Sequence, residues 1–348
     1  MPTQKQTVLL TGGAGVLGRA LIDELATDFD VICVRHRTPI GDPRVTEVAG
    51  NLSEENLGVD SATLARVDLI LHSAATTSWR ATREQIFATN LGGTTRMLDL
   101  AGRLQAPLYY MSTAFVVHGQ QGADSRFGGA TSYIESKIAA EQLVRDSGLD
   151  AAILRPSVVY GHSDDGRMSA FQGFSHAAGA IVEGTAPVIP ADPNSMIDAL
   201  PQDLVAQATA HLLRRRVTSG EYWLTAGEEA LVLRDIVDTC VAFSARLELN
   251  AHRPRLIPVE AVDRLLLPLL EDALPPVLRR RLRDFAELLL LFQLPAAIPS
   301  SMAELGFAAQ IRRPALAAAF ERSLEYWARK NGLLPQRQTA EAAAWWTP

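Results

Sequence analysis

The sequence predicts an α/β fold in which a doubly wound parallel sheet is followed by a smaller, mainly helical region. Two patterns carry that prediction. Short apolar runs alternate with longer stretches of helical periodicity through the first half, as expected of strands buried on both faces by crossover helices. Glycines then punctuate the passage from the first run into the first helical stretch, where a phosphate-binding turn belongs. The 348 residues suffice for about two domains.

Thr7–Leu10 reads as the first strand and Val16–Ala26 as the first helix. Val31–Val34 and Val67–Leu71 read as the second and third strands. Glu84–Leu104 repeats Ile86, Met97, Leu98 and Ala101 at helical spacing, and Leu108–Met111 is the fourth strand. Ser132–Val144 reads as a helix and Ala151–Leu154 as the fifth strand. Each crossover is expected to be right-handed. After about Pro156, Gly, Pro and Asp become frequent, and Glu221–Leu224 reads as one more strand. From about Leu256 the chain is Leu-rich and helical, interrupted by Pro258, Pro268, Pro275, Pro276 and Pro295. The expected division is 1–160 for dinucleotide binding, with sheet elements returning near 185–230. Residues 161–335 then form a mixed, mainly helical substrate-binding region, and 336–348 a tail in which Trp345 and Trp346 can dock on the surface.

Composition removes several classes of function. Lys and Arg number 33 against 39 Asp and Glu, a net charge of −6, so no excess of positive charge suits the chain to nucleic acid. Cys33 and Cys240 cannot form a disulfide framework, no metal-ligand spacing contains them, and no metal is expected. The N-terminus lacks the apolar core of a signal peptide, and no apolar run approaches the roughly 20 residues of a membrane span. A cytoplasmic protein is expected.

Thr11-Gly12-Gly13-Ala14-Gly15-Val16-Leu17-Gly18 joins the first strand to the first helix. Gly12, Gly15 and Gly18 allow a tight turn, close approach of a pyrophosphate, and packing of helix on strand. The N–H groups of Val16 and Leu17 then open the helix toward the phosphates. A glycine-rich turn without a ligand is the plainer alternative, which the position between strand and helix disfavours. An Asp or Glu about 20 residues on would bond a ribose 2′-hydroxyl. This chain instead has Val34-Arg35-His36-Arg37. Two guanidiniums suit a 2′-phosphate, so NADP(H) is preferred over NAD(H). Arg35, which directly follows the strand, is the better candidate than Arg37, and two solvated surface arginines are the alternative.

Tyr133 and Lys137 are four apart in a helical segment and share a face. An ammonium beside a phenol is expected to lower the phenol's pKa, leaving a tyrosine able to exchange a proton with a carbonyl or alcohol oxygen. The pair follows Ser112-Thr113, which end the fourth strand at the edge where open α/β sheets bind ligands.

Together these motifs resemble an extended short-chain dehydrogenase/reductase, a Rossmann-type fold. The matching pieces are TGGAGVLG, HSAA at 72–75, ATNLGGTTRMLDLA at 88–101, YIESKIAAEQLV at 133–144 and LRPSVVYG at 154–161. Within that superfamily the chain is most similar to the thioester reductase and fatty acyl-CoA reductase (male-sterility-type) branch, through GNLSEENLG at 50–58, MSTAFV at 111–116 and RPSVVYGHSDDGRMSAFQGF at 155–174. The resemblance implies that Gly12, Gly15 and Gly18 hold the pyrophosphate and Arg35 the 2′-phosphate. Asn51 and Leu52 would flank the adenine, with Asn where many members carry Asp. Ala74, Ala75, Pro156 and Ser157 would line the nicotinamide side. Asn90 would support the active-site helix or its water, Tyr133 would be the acid, and Lys137 would bind the ribose and tune Tyr133. The hydroxyl partner is Thr113 by the STA register, with Ser112 as substitute. A sugar-epimerase register counted from Gly119 falls on Ala114, which has no hydroxyl, and a strand-end backbone cap is the plainer role for either hydroxyl.

His72, His118 and His162 read as structural, because Tyr and Lys already account for proton transfer. Arg167 is a candidate for an anionic substrate group, or is solvated. Leu265–Leu270 and Leu288–Phe292 read as helical core or as a lid over an apolar substrate. A membrane-surface helix at 277–285 is disfavoured by the interspersed acids. The expected activity is NADPH-dependent hydride transfer to the carbonyl or acyl thioester of a hydrophobic substrate, free or carrier-bound and received from elsewhere. Nucleotide-sugar epimerisation or dehydration with tightly bound NAD, and a non-catalytic NADP sensor, are the alternatives. The resemblance is compatible with a homodimer.

Overall fold

The computed structural model describes residues 5–78, 81–120, 128–249, 251–258, 291–294 and 296–335. β1 (Thr7–Thr11), five buried residues, runs through Gly12–Gly15 into α1 (Val16–Leu25). β2 (Asp30–Arg35) and β3 (Thr46–Ala49) lie on one side of β1. After α2 (Ser61–Leu64), β4 (Leu69–His72) lies on the other side. α3 (Arg83–Phe87), a π turn at Ala88–Gly92 and α4 (Gly93–Leu104) follow as one winding. A capping box between Thr82 and Gln85 starts it. β5 (Leu108–Met111), α5 (Val116–Gln120), α6 (Gly128–Asp146) and β6 (Ala151–Pro156) complete the first half.

The second half adds β7 (Val158–Tyr160), α7 (Gly173–Val182), β8 (Val188–Pro190), β9 (Met196–Ile197), β10 (Ala199–Pro201) and α8 (Gln202–Arg214). β11 (Glu221–Leu224), β12 (Leu231–Val232), α9 (Leu233–Arg246), β13 (Arg255–Ile257), β14 (Gln293–Leu294) and α10 (Arg313–Lys330) follow. The main sheet has seven strands in the order β3-β2-β1-β4-β5-β6-β11, and every pairing in it is parallel. The order reverses between β1 and β4, and ligands of such sheets bind in the crevice outside that switch point.

The period of two along each strand divides the core. Val8 and Leu10 of β1 join the layer under α1 and α8, whereas Leu9 joins the layer under α4 and α6. Arg214 at the end of α8 donates to Glu24 and Asp28 at 2.8 and 2.6 Å, tying the second half to α1. The strand at Glu221–Leu224 expected from sequence does return to the sheet edge, beside β6.

Three differences from the sequence expectations follow from packing. β3 was not foreseen: its TEVA is polar and mostly exposed because it is an edge strand. The third expected strand, Val67–Leu71, is β4 and begins two residues later. The stretch Glu84–Leu104 is not uniformly α-helical, because the π turn inserts at Ala88–Gly92. Pro268, Pro275, Pro276, Leu265–Leu270, the 277–285 stretch, Trp345 and Trp346 lie outside the described residues.

Candidate active site

The glycine turn is built for contact closer than side chains permit. Gly12 has φ +80°, and a Cβ there would stand 2.7 Å from Ala74 N. A Cβ on Gly18 would stand 2.0 Å from the Gly12 carbonyl oxygen, the group that also accepts from Gly15 N at 3.0 Å. Around Gly15 that same oxygen is the neighbour, at 3.3 Å. No side chain caps α1 and its first turn holds no acid, so the helix start keeps N–H donors and a positive dipole end. This cradle fits a dinucleotide pyrophosphate. Val16 is buried and Leu17 half-buried at its rim.

At the end of β2, Arg35 is about one-third exposed and its Nε lies 2.7 Å from Glu47 Oε1. Arg37 is exposed on the following loop. The stretch Val34–Arg37 contains no acid, yet the fold brings one in from β3, which sequence spacing cannot show. Asn51 follows β3, donates its N–H to the Leu57 carbonyl, and accepts from Ser53 N at 3.1 Å. Leu52 packs against Gly93 at the start of α4. Ala74 and Ala75 follow β4, half-buried, and Ala74 N donates to Thr11 Oγ1 at 3.2 Å.

α6 carries Tyr133, Lys137 and Glu141 on successive turns, all at least nine-tenths buried. The Thr113 hydroxyl lies near the Tyr133 phenol and tends to lower its pKa, and it accepts from Phe115 N at 3.3 Å. Ser112, one residue earlier, instead donates to Glu141 Oε1 at 2.6 Å. The two hydroxyls left open by the sequence are thus separated: Thr113 meets the tyrosine, and Ser112 is held by the carboxylate. Lys137 Nζ donates to the Met111 carbonyl at 2.7 Å and lies 4.9 Å from the Tyr110 ring centre.

The expected depression of the tyrosine's pKa is corrected here. Burial pushes Tyr133 up to about 12, and the nearby Thr113 hydroxyl only partly opposes this. Tyr133 packs with Ile134 and Leu291, and the lysine's proton is directed at a carbonyl rather than at the phenol. Burial pulls Lys137 down to about 7, with the Glu141 charge opposing. Desolvation therefore outweighs the pair's mutual effect.

Asn90, 1% exposed in the π turn, accepts from Thr76 N at 2.7 Å and donates to Thr76 O at 3.1 Å and to Ser136 Oγ at 2.9 Å. Ser136 in turn donates to the Tyr133 carbonyl at 2.7 Å. One amide thus links the segment after β4 to the turn of α6 that bears the tyrosine. Pro156 ends β6 and accepts from Ala114 N at 2.8 Å. Ser157 follows it, near buried Asp198, whose carboxylate accepts from Ala226 N and Gly227 N at 2.9 Å each.

The histidines have structural partners. His72 Nδ1 is 2.7 Å from Thr11 Oγ1, and burial, with Lys137 nearby, holds its pKa down near 3. His118 Nε2 is 3.0 Å from the Leu291 carbonyl. His162 Nδ1 is 3.9 Å from Asp203. Arg167 is nearly half exposed beside Asp165 and lines a cavity of about 180 Å³ with Arg19, His162 and Gln202. Of the expected lid, Leu291 packs on Tyr133 and Phe292 stacks on Phe115 with ring centres 5.8 Å apart. Residues 288–290 lie outside the described residues.

A family model described as male sterility protein matches residues 33–209, just over half of the chain. The chain belongs to the male sterility protein family. It is accordingly an NAD(P)-binding oxidoreductase of the extended short-chain dehydrogenase/reductase type, in the thioester reductase branch. The chain is 31% identical over 189 residues to a polyketide synthase-nonribosomal peptide synthetase of Pyricularia oryzae, a match covering 45% of this chain and 5% of that protein. Its fold is similar to the terminal R domain from the myxalamid PKS-NRPS biosynthetic pathway, at 24% identity and TM-score 0.72, covering 96% of this chain and 93% of that one. It is also similar to the reductase (R) domain of a nonribosomal peptide synthetase from Mycobacterium tuberculosis, at 23% identity and TM-score 0.65, covering 95% and 93%. The chain thus spans a small part of the curated relative and nearly all of the solved domains.

Several residues around the site are brought there by the fold alone. Glu141 accepts from Ser112, from Arg155 at 2.9 and 2.7 Å, and from Arg145 at 2.6 Å. Arg155 also donates to Glu221 at 2.6 Å. This network ties α6 to β5, β6 and β11. One signal was present: Glu141 continues the four-residue ladder from Tyr133 and Lys137. Ser136, Phe115 and Glu47 gave no local signal, because tertiary neighbours alone define their place.

Proposed function

We propose that the chain is an NADPH-dependent reductase of hydrophobic acyl thioesters or carbonyls, with Tyr133 as general acid. The observation that supports the reading is the burial of Tyr133 and Lys137 on α6 next to the carboxyl end of β5, where Lys137 donates to the Met111 carbonyl and Thr113 lies near the phenol. When bound, the nicotinamide supplies a hydride to the substrate carbon. Thr113 holds the substrate oxygen, and Tyr133 passes its phenolic proton to that oxygen as negative charge develops there. A phenol pushed up to about 12 stays protonated at neutral pH. It can therefore donate that proton to a developing oxyanion. Lys137 would meet the ribose hydroxyls, and because burial lowers it to about 7 it exchanges its proton near neutrality.

Gly12, Gly15, Val16, Leu17 and Gly18 would hold the pyrophosphate, Arg35 and Arg37 the 2′-phosphate, and Asn51 and Leu52 the adenine. Ala74, Ala75, Asn90, Pro156 and Ser157 would frame the nicotinamide side, and residues 161–335 would supply the substrate side. Leu291 against Tyr133 and Phe292 stacked on Phe115 give the site an apolar wall, which supports a hydrophobic substrate. The names of the relatives support a carrier-bound thioester as its form.

The test is a panel of acyl thioesters, aldehydes and ketones incubated with the protein and NADPH. Net loss of the reduced nicotinamide's absorbance with a long-chain thioester or its aldehyde is expected. Epimerisation of a nucleotide sugar with no net cofactor turnover would overturn the reading.

A further inference from the structure

The loop of residues 36–41 leaves β2 and is fixed at Ile40 in three ways. The Ile40 side chain is 4% exposed and, like Cys33 of β2, lies against Gly13 of the phosphate turn. Its carbonyl accepts from Arg19 of α1, which also donates to the Pro39 carbonyl at 3.2 Å. Its N–H donates to Glu47 Oε2 at 2.7 Å, and Gly41 N reaches the same oxygen at 3.2 Å. The other oxygen of that carboxylate lies 2.7 Å from Arg35 Nε. Glu47 thus ties both ends of one exposed arch, the guanidinium at its start and the backbone at its close. Arg37 stands between them.

We infer that Glu47 is a positioning residue for recognition of a nucleotide 2′-phosphate, an inference that rests on the NADPH reading above. With Nε engaged by the carboxylate, the Arg35 guanidinium keeps its two terminal nitrogens as the donor fork that a phosphate dianion takes. Fixing the arginine and the arch beforehand removes an ordering cost that binding would otherwise carry. The carboxylate also repels a phosphate, but this opposing effect is the smaller one. Its charge is balanced by Arg35 and two N–H donors, and at more than a quarter exposed it is screened by solvent. β3 is the edge strand of the sheet, and in this role it belongs to the cofactor site.

Calorimetric titration of the full chain with adenosine 2′,5′-bisphosphate and adenosine 5′-monophosphate tests this without any turnover. The wild-type protein should favour the 2′-phosphorylated ligand by about tenfold or more. Glu47→Ala should lose most of that preference while binding the monophosphate within about twofold of wild type. Glu47→Gln, which keeps an acceptor oxygen for the loop N–H groups, should fall between them and guards against a misfolded alanine variant. A wild-type preference that either variant leaves intact or strengthens overturns the role of Glu47. A wild-type protein with no preference overturns the NADPH reading and this inference with it.

Discussion

Lys137 sets how the ligand-free protein responds to pH. Burial holds its ammonium down to about 7, while the unfolded chain restores the ordinary lysine value of 10.5. Between these values the unfolded chain binds a proton that the folded chain releases, so stability rises with pH. The rise is read most clearly from about pH 7 to pH 9, below the ordinary cysteine value of 9.0, because Cys33 and Cys240 are pushed upward and act oppositely above it. Lys137→Met keeps the length and removes the charge. Its melting temperature at pH 7 should exceed that of wild type, and the upward slope should vanish. A slope that survives the substitution would show that the lysine is not buried as described. The Tyr133–Lys137 spacing was legible in the sequence because both residues lie on one helix. Their pKa values were not, because Leu291 comes from elsewhere in the chain and the Met111 acceptor is a backbone carbonyl.

Elements were legible where both faces of a strand are buried and obscure where one is not. β1, β4 and β5 are continuous apolar or nearly apolar runs, buried throughout. β3 is recognised only by its neighbour β2, and the π turn only by the buried bonds of Asn90. The phosphate turn gives the sharpest contrast among the glycines. Gly18→Ala places a Cβ 2.0 Å from a backbone oxygen and must displace either α1 or the turn. It should cost about 3 kcal/mol or more in urea unfolding and weaken nucleotide binding. Gly41→Ala meets nothing within 4 Å and keeps only the burden of φ +65°, so it should cost about 1 kcal/mol. Equal losses for the two would contradict the packing of α1 on the turn.

At the scale of the whole molecule, the doubly wound sheet and its switch point follow from the alternation of strands and helices that the sequence displays. The second half was less legible because its strands are two to four residues long and owe their pairing to distant segments, as β12 and β14 do on β9. That arrangement sets Leu291 against Tyr133 and Phe292 against Phe115. The carboxyl edge of the sheet and the wall at Leu291 therefore meet at Tyr133. The decisive measurement is NADPH oxidation by wild type and Tyr133→Phe with a long-chain acyl thioester, alongside calorimetric binding of NADPH to both. The account predicts unchanged cofactor affinity and a fall in turnover of about a hundredfold or more in the variant. Turnover retained without the phenol would contradict it.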